Sequence, residues 1–207
     1  MMGLFDKLKQ RHFDSAIQAI EENDIERFNT AYQKLDESVK SAWLDHPLES
    51  GTPSLLMLAL EHRHPELVKR IITLGANPNT LEAPVLSLAL KYEVHRLSLL
   101  TELLKGGATP KPSETLIQDC FEYAPKDQWL ILINRLAQFG IDVIETDQNG
   151  RSALQNALES DNRELLAFLI NSGADLPEPL PENLSDELTA YVKRLVEDRK
   201  IREMFLA

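Results

Sequence analysis

The sequence predicts an all-α fold built from stacked helical repeats. Four glycines, Gly75, Gly107, Gly140 and Gly173, each follow an apolar stretch with helical periodicity, and they are spaced 32, 33 and 33 residues apart. A glycine just past a helix end can adopt the left-handed conformation that closes the last turn. Hydrophobic residues make up 43% of the chain and aromatic residues only 6%, which predicts a globular protein with an aliphatic core. The regular spacing indicates a unit of about 33 residues that must stack on its neighbours to bury its apolar face.

The clearest copy of this unit spans residues 147–175. Asn149-Gly150 predicts a tight turn, and Ser152 is placed to cap a short helix with its hydroxyl group. Apolar residues follow at three- and four-residue spacing, at Leu154, Ala157 and Leu158. Asp161-Asn162 interrupts the pattern, and a second helix runs on to Ile170. Each unit is therefore expected to contain a turn, a short helix, a tight loop, a longer helix and a glycine.

The order of these features resembles the ankyrin repeat, whose pattern runs roughly D-x-x-G-x-T-P-L-H-x-A, then a hydrophobic helix and L-L-x-x-G-A-D. In the clearest copy the matching residues are Asp147, Gly150, Ser152, Leu154, Ala157, Glu164, Leu169, Ile170, Gly173, Ala174 and Asp175. Looser matches cover segments 54–76, 86–108 and 115–140, so the chain resembles a divergent, bacterial-type, small ankyrin-repeat protein. Bulkier residues stand where the family has a second alanine, at Leu60, Leu90, Phe121 and Leu158. The resemblance implies an ankyrin-repeat solenoid with capping helices at both ends.

The expected organisation is a single ankyrin-repeat domain over residues 1–207. Its expected parts are an N-terminal capping repeat with an insert (13–50), four repeats (51–82, 83–112, 113–146 and 147–177) and a C-terminal capping helix (178–207). Within the first part, the insert at 37–50 predicts a short extra helix. Ser185 predicts the start of the final helix, because it offers a hydroxyl cap and is followed by two acids in the first turn.

The charge distribution argues against nucleic acid as a partner. The net charge is −11, and sequence-independent affinity for nucleic acid comes from cations that meet phosphates. Residues 141–190 hold 11 carboxylates against two arginines, whereas the last 17 residues hold five basic residues against three acids. Two interpretations of the acidic segment stay open. It is either a solvated face or a surface that steers a basic partner onto the protein.

Few residues are candidates for chemistry. The segment Glu61-His62-Arg63-His64, with Glu66, is the best metal candidate, but His64 falls where ankyrin repeats often have a histidine in the turn between helices. Cys120 occupies a small-residue core position, with no histidine or acid at a nucleophile-motif spacing. Gly106-Gly107 follows a helix rather than opening one, so no phosphate-binding loop is predicted. We therefore expect no catalytic residue, no metal, no cofactor and no enzymatic activity.

The N-terminal segment GLFDKLKQRHF mixes Leu4, Phe5, Leu8 and Phe13 with basic residues. It could lie on a membrane or in a partner's groove, but we expect it to pack on the first repeat. The charged start is not that of a secretory signal, and no apolar run reaches the roughly 18 residues that span a bilayer. A single cysteine excludes an intramolecular disulfide and fits a reducing compartment. A cytoplasmic protein without membrane contact is expected.

The resemblance also implies a function, because ankyrin-like stacks bind protein partners with the concave groove formed by their inner helices and turn fingers. The positions that it assigns to this groove are Glu61, His62, Lys91, Tyr92, Glu122, Tyr123, Asp147, Gln148, Arg151, Glu159 and Ser160. Tyr92 and Tyr123 are the expected anchors, because aromatic residues dominate interface hot spots. We expect a monomeric, non-catalytic module for protein–protein interaction. The alternative is an acidic immunity or inhibitor protein that neutralises a basic toxin or enzyme.

Overall fold

The computed structural model describes residues 4–48, 51–144, 146–147 and 150–206, with side chains described from residue 11 to residue 205 outside those gaps. In these residues the fold contains α-helices, short 3-10 helices and one isolated β-bridge, between Thr146 and Ser152. The all-α class predicted from the sequence is therefore confirmed. The chain divides into two compact units, Met1–Glu114 and Thr115–Ala207, which we call the N-terminal and C-terminal units. The predicted single-domain boundaries and repeat limits stay predictions.

The N-terminal unit is built from helix pairs separated by short turns. Its α-helices are α1 (Leu4–Glu21), α2 (Ile25–Gln33), α3 (Glu37–Lys40), α4 (Leu55–Glu61), α5 (Pro65–Thr73), α6 (Val85–Lys91) and α7 (Arg96–Lys105). Helix α1 begins nine residues earlier than the predicted two-helix unit at 13–36, because no helix breaker lies between Leu4 and Glu21. The side chains of Leu4, Phe5 and Leu8 lie outside the described part, so the packing of the N-terminal segment onto the first repeat stays a prediction.

The C-terminal unit repeats the same arrangement. Its α-helices are α8 (Leu116–Tyr123), α9 (Trp129–Gln138), α10 (Ala153–Glu159), α11 (Arg163–Asn171) and α12 (Asp186–Leu206). Helix α12 begins as predicted, since Ser185 Oγ accepts a hydrogen bond from the backbone N–H of Leu188 at 3.1 Å. It packs against α11 with Leu188 and Val192 buried. The core of both units is aliphatic, as the composition predicts.

The four predicted glycine stops are confirmed. Gly75, Gly107, Gly140 and Gly173 have φ angles of +113°, +82°, +79° and +108°. The backbone N–H of the next residue reaches back to the helix in each case, by the bonds Ala76 to Ile71, Ala108 to Leu103, Ile141 to Leu136 and Ala174 to Leu169. This closure satisfies carbonyl groups that a helix end leaves without partners. The stops therefore follow from local backbone geometry that is repeated four times.

The first helix of each repeat is capped in different ways. Ser152 and Gln155 form a capping box at the start of α10, and Ser54 Oγ accepts from the backbone N–H of Met57 at the start of α4. Helix α6 begins after Pro84, which has no side-chain acceptor. There the carboxylate of Glu114 accepts from the backbone N–H of Ser87 at 2.9 Å. A distant side chain thus replaces the missing local cap.

The insert at 37–50 contains the predicted short helix, α3, followed by a 3-10 helix at Ala42–Leu44. Trp43 is fully buried, and its ring lies 4.7 Å from the ring of Phe13 on α1. Its indole N–H donates to the backbone carbonyl of Pro53 at 3.0 Å. The buried carboxylate of Asp45 accepts from the backbone N–H of Asn77 at 2.7 Å. The insert is therefore an integral part of the N-terminal unit.

Candidate partner-binding surfaces

In the N-terminal unit, the structure brings two of the predicted residues together. Glu61 ends α4 and Tyr92 follows α6, and the Arg63 guanidinium lies 5.0 Å from the centre of the Tyr92 ring. Partial burial raises the pKa of Tyr92, the Glu61 carboxylate raises it further, and Arg63 opposes both effects. We call Glu61, Arg63 and Tyr92 the tyrosine cluster. Tyr92 is half-buried, and the contact with Arg63 restricts the orientation of its ring.

His62 and Lys91, also predicted, are exposed beside this cluster. The rings of His62 and His64 lie 6.1 Å apart and nearly parallel. His64 is half-buried and hydrogen-bonds the backbone of Glu21 at the end of α1, and burial lowers its pKa. In the described ranges, no group of three or more His, Cys, Asp or Glu side chains is placed to hold a metal ion. His64 therefore connects two helix pairs through a structural contact.

In the C-terminal unit, the predicted finger is a closed turn. Asp147 and Arg151 exchange two contacts across it: the backbone N–H of Asp147 donates to the Arg151 carbonyl at 2.9 Å, and the Arg151 N–H donates to the Asp147 carboxylate at 2.7 Å. Gly150 has a φ of +76°, as the predicted tight turn requires. Gln148, the remaining predicted finger residue, lies outside the described residues, as does Asn149.

A polar network joins this finger to the inner helices α8 and α10. Arg151 Nε donates to Asn156 Oδ1 at 2.9 Å, and its Nη2 donates to the Glu159 carboxylate at 2.5 Å. The side chain of Gln118 on α8 donates to the Arg151 carbonyl at 3.2 Å and accepts from Asn156 Nδ2 at 3.4 Å. We call Gln118, Arg151, Asn156 and Glu159 the finger network. Its members order one another, so a partner would meet a polar surface whose conformation is already restricted.

The other predicted residues of this unit have distinct local roles. Glu122 is exposed and Tyr123 half-buried at the end of α8. The Tyr123 hydroxyl is hydrogen-bonded to the Glu122 carboxylate, which raises the pKa of Tyr123. Ser160 turns its hydroxyl back onto the carbonyl of Asn156 at 2.8 Å, so it closes the end of α10. The Ser160 hydroxyl group therefore makes a hydrogen bond within its own helix end.

Three residues of these surfaces were missed from the sequence: Arg63, Gln118 and Asn156. Asn156 could have been found, since it lies one helical turn after Ser152 and three residues before Glu159 on α10. No spacing in the sequence indicates a role for Arg63 or Gln118. Arg63 has a positive φ of 62° in a turn, and Gln118 reaches a residue that is 33 positions away in the chain.

The acidic segment of the sequence is largely at the surface. The exposed carboxylates between residues 141 and 190 are Asp142, Glu159, Asp161, Glu164, Asp175, Glu178, Glu182, Asp186 and Glu187. Arg163, one of the two arginines of this segment, pairs with Glu187 at 3.0 Å and with Asp161 at 3.3 Å. The exposed acids outnumber the two arginines of this segment, so the surface of residues 141–190 is negative, as the charge count predicts.

Cys120 is fully buried in α8, at the small-residue core position that the sequence predicts. A buried thiol in such a position behaves as a small hydrophobic group. None of the helices in the described residues is long and apolar enough to span a bilayer.

The structure is similar to that of an ankyrin repeat domain from Acinetobacter baumannii AYE, with a TM-score of 0.54 and 20% sequence identity. The match covers 91% of this chain and 92% of that chain. No family model matches the sequence, and no curated protein matches it. At this identity the likeness establishes the fold and leaves the function to be argued from the surfaces. The chain therefore has the ankyrin-repeat fold that the resemblance of its repeat motif implies.

Proposed function

We propose that this protein is a non-catalytic module for protein–protein interaction and that its partner has a basic surface. Ankyrin-repeat folds generally mediate protein–protein interaction. The observation that carries the proposal is the finger network, in which the exposed Arg151 donates to both Glu159 and Asn156. Side chains that are ordered before binding lose less conformational entropy on binding, which favours affinity.

The tyrosine cluster supplies a second contact surface in the N-terminal unit. Tyr92 is half-buried under Arg63, so its ring is already oriented. Tyrosine and arginine are enriched among the residues that contribute most to binding energy. Tyr123 is the corresponding candidate in the C-terminal unit, where its hydroxyl is hydrogen-bonded to Glu122. We propose these two tyrosines as the aromatic anchors of the two surfaces.

The exposed acids support the basic character of the partner. A surface with nine exposed carboxylates across residues 141–190 attracts cations over about 8 Å at physiological ionic strength. Such a field accelerates the encounter with a basic protein and repels nucleic acid and anionic lipid. We propose a cytoplasmic monomer that needs no cofactor for this role, and light scattering of the purified protein tests the oligomeric state.

The first experiment measures how much the two proposed tyrosine anchors contribute to binding. The wild-type protein is used for affinity capture from its native cytosol, captured proteins are identified by mass spectrometry, and each is purified for binding measurements. We expect Tyr92→Ala combined with Tyr123→Ala to weaken binding at least tenfold. Phe139→Ala, which removes another partly exposed aromatic ring at the end of α9, is the matched control and is expected to bind normally. Undiminished binding by the double variant would exclude these anchors.

The second experiment tests whether the exposed carboxylates attract the partner. Glu159→Lys reverses a carboxylate of the finger network, whereas Glu182→Lys reverses an exposed carboxylate outside it. We expect both variants to slow association, because both reduce the long-range field, but only Glu159→Lys to accelerate dissociation. If binding is insensitive to salt and to both reversals, the partner is not basic.

The alternative candidate is an acidic immunity or inhibitor protein that neutralises a basic toxin or enzyme. The same exposed carboxylates favour it, since an inhibitor of a basic protein needs complementary charge. Co-expression with a basic toxin encoded next to this protein tests the alternative directly. If the wild-type protein rescues growth and the Glu159→Lys variant does not, the alternative is supported. If co-expression leaves the toxicity unchanged, this protein does not neutralise that toxin.

A further inference from the structure

A cavity of about 320 Å³ opens among α2, α3 and α5 of the N-terminal unit, and none of the residues proposed to bind the protein partner lines it. One wall is supplied by Lys40 and Ser41, which belong to the insert that departs from the repeat pattern. Arg70 on α5 lines the same cavity. The insert therefore supplies part of a cavity that two helices outside it, α2 and α5, complete.

Arg70 is held in a fixed position with most of its hydrogen-bonding capacity unused. Its Nε donates to the Oδ1 of Asn29 on α2 at 2.6 Å. In the described part of the chain, no carboxylate pairs with this guanidinium. Its two terminal amino groups are therefore available to a pair of oxygen acceptors. An oriented guanidinium fork is suited to bidentate contact with phosphate or carboxylate.

Lys40 places a second cation at the same cavity. Its side chain is only 17% exposed, and its Nζ lies 5.3 Å from the centre of the Tyr32 ring. The Lys40 ammonium pairs with the Glu37 carboxylate at 2.8 Å, and this carboxylate is 86% exposed. Because Glu37 is almost fully hydrated, it can leave Lys40 at little cost when another anion enters.

The lining is rich in hydrogen-bond donors and poor in negative charge. Arg70 and Lys40 face a single carboxylate, Glu37, so the cavity is net positive in a chain whose net charge is −11. Asn29 and Gln33 add side-chain amide groups. Burial raises the pKa of Tyr32, and its hydroxyl group donates to the Lys40 carbonyl at 3.4 Å. The two cations and the two side-chain amides are the groups that can stabilise an anion.

We propose that this cavity binds a phosphate monoester. Arg70 takes two phosphate oxygens with its terminal amino groups, and Lys40 exchanges Glu37 for a third. A phosphate monoester carries close to two negative charges at neutral pH, which complements two cations better than one carboxylate does. The volume is at the lower end of small-ligand pockets, so it fits a small phosphorylated metabolite or one phosphorylated side chain of a partner.

The test titrates the full-length protein with O-phosphoserine and follows the Arg70 Nε–H and the Asn29 and Gln33 side-chain amides by NMR. We expect saturable shifts with a Kd on the order of 1 mM or below, equivalent to at least about 4 kcal/mol. Arg70→Gln is expected to weaken binding at least tenfold. Lys69→Gln removes one charge from the adjacent exposed residue outside the cavity and is expected to bind normally.

Two further variants make the outcome decisive. Lys40→Gln is expected to weaken binding, and it tests the site even if Arg70→Gln fails to fold because it loses the contact with Asn29. Glu37→Gln is expected to tighten binding severalfold, because it removes the competing carboxylate. A merely structural role for these residues predicts no gain in Glu37→Gln. Absent shifts, or equal weakening by Lys69→Gln, would overturn the proposal.

Two further ligands distinguish phosphate from other anions and a phosphorylated protein from a free phosphorylated metabolite. Succinate, a dicarboxylate, is expected to bind more weakly than O-phosphoserine, and equal affinity would overturn the assignment of phosphate. A phosphoserine peptide that binds at least tenfold more tightly than O-phosphoserine supports a phosphorylated protein as the source. Equal affinity of the two supports a free phosphorylated metabolite.

Discussion

Arg199 on α12 donates through Nη1 to the carbonyl oxygen of Ala174 at 2.9 Å, just after the glycine that ends α11. The same amino group contacts the Ile170 carbonyl at 3.2 Å, and Nη2 donates to the Asp175 carboxylate at 2.5 Å. The Arg199 side chain is 10% exposed. The Ile170 carbonyl also accepts from the backbone N–H of Gly173 at 3.1 Å, so Arg199 adds a second donor there and supplies one to Ala174. A cation at this position complements the negative end of the helix dipole.

Replacing Arg199 with Met is therefore expected to lower the free energy of unfolding by about 1–3 kcal/mol, because the Ala174 carbonyl loses the Arg199 donor and Ile170 loses one of its two. Urea denaturation followed by circular dichroism measures the change. Arg194→Met on the same helix is the control: Arg194 is 82% exposed and lies 3.8 Å from Asp198, so about 0.5 kcal/mol or less is expected. Equal effects of the two variants would contradict the capping role.

The capping box at the start of α10 provides the second prediction. Ser152→Ala removes the acceptor for the Gln155 backbone N–H and is expected to cost about 1 kcal/mol in unfolding free energy. Ser172→Ala, which removes an exposed hydroxyl bonded to the Phe168 carbonyl, is expected to cost less than about 0.5 kcal/mol. Thermal denaturation of both variants and the wild type measures the two costs. A Ser152→Ala variant as stable as the wild type would contradict the role of the capping box.

The adjacent glycines Gly106 and Gly107 are required for different reasons. Gly107 has a φ of +82°, and a Cβ added there would meet no atom within 4 Å, so Gly107→Ala is expected to cost about 1–2 kcal/mol through backbone strain alone. Gly106 has an ordinary φ of −74°, but a Cβ there would lie 2.8 Å from Ile72 Cδ1. Gly106→Ala is thus expected to destabilise the fold through overpacking.

A double-mutant cycle separates the two causes. In an Ile72→Ala background, the cost of Gly106→Ala should fall, whereas the cost of Gly107→Ala should stay the same. Denaturant unfolding of the wild type, the single variants and the two double variants measures both differences. If the Ile72 truncation relieves both glycine substitutions equally, the distinction between packing and backbone strain is wrong.

The lowered pKa of His64 predicts a pH dependence of stability. Burial is its main cause, so the folded protein takes up this proton at a lower pH than the unfolded chain, where a histidine titrates near 6.5. Between the two pKa values the unfolded state binds more protons, and the free energy of unfolding therefore falls as the pH drops below 6.5. His64→Gln is expected to reduce this loss.

Denaturant unfolding at a series of pH values from about 7.5 to 5 measures the effect, since it spans the titration of an ordinary histidine. If the stability difference between wild type and His64→Gln is constant over the whole series, His64 does not contribute to the pH dependence.

Much of the fold was predictable because its signals are local. Gly173, Ser152 and Ser185 act on backbone groups within a few residues of themselves, so their roles can be inferred from their immediate neighbours in the chain. The apolar spacing similarly identified Leu154 and Leu158 as buried. The candidate surfaces were predictable in part, because the family resemblance assigns Arg151 and Glu159 to the groove, whereas Gln118 joins them only across 33 residues of chain.

By itself, the sequence determined the helical repeat, its stops and caps, the aliphatic core and the acidic surface of residues 141–190. The tertiary structure alone decided how Glu114 replaces the missing cap of α6, how Arg199 contacts the end of α11, and how Lys40 of the insert comes to line the same cavity as Arg70. The physical reason is the separation of the residues along the chain. Backbone conformation and periodic burial depend on neighbours within one or two helical turns. The paired residues named above lie 25–30 positions apart, so the packing of whole helices sets the distance between them.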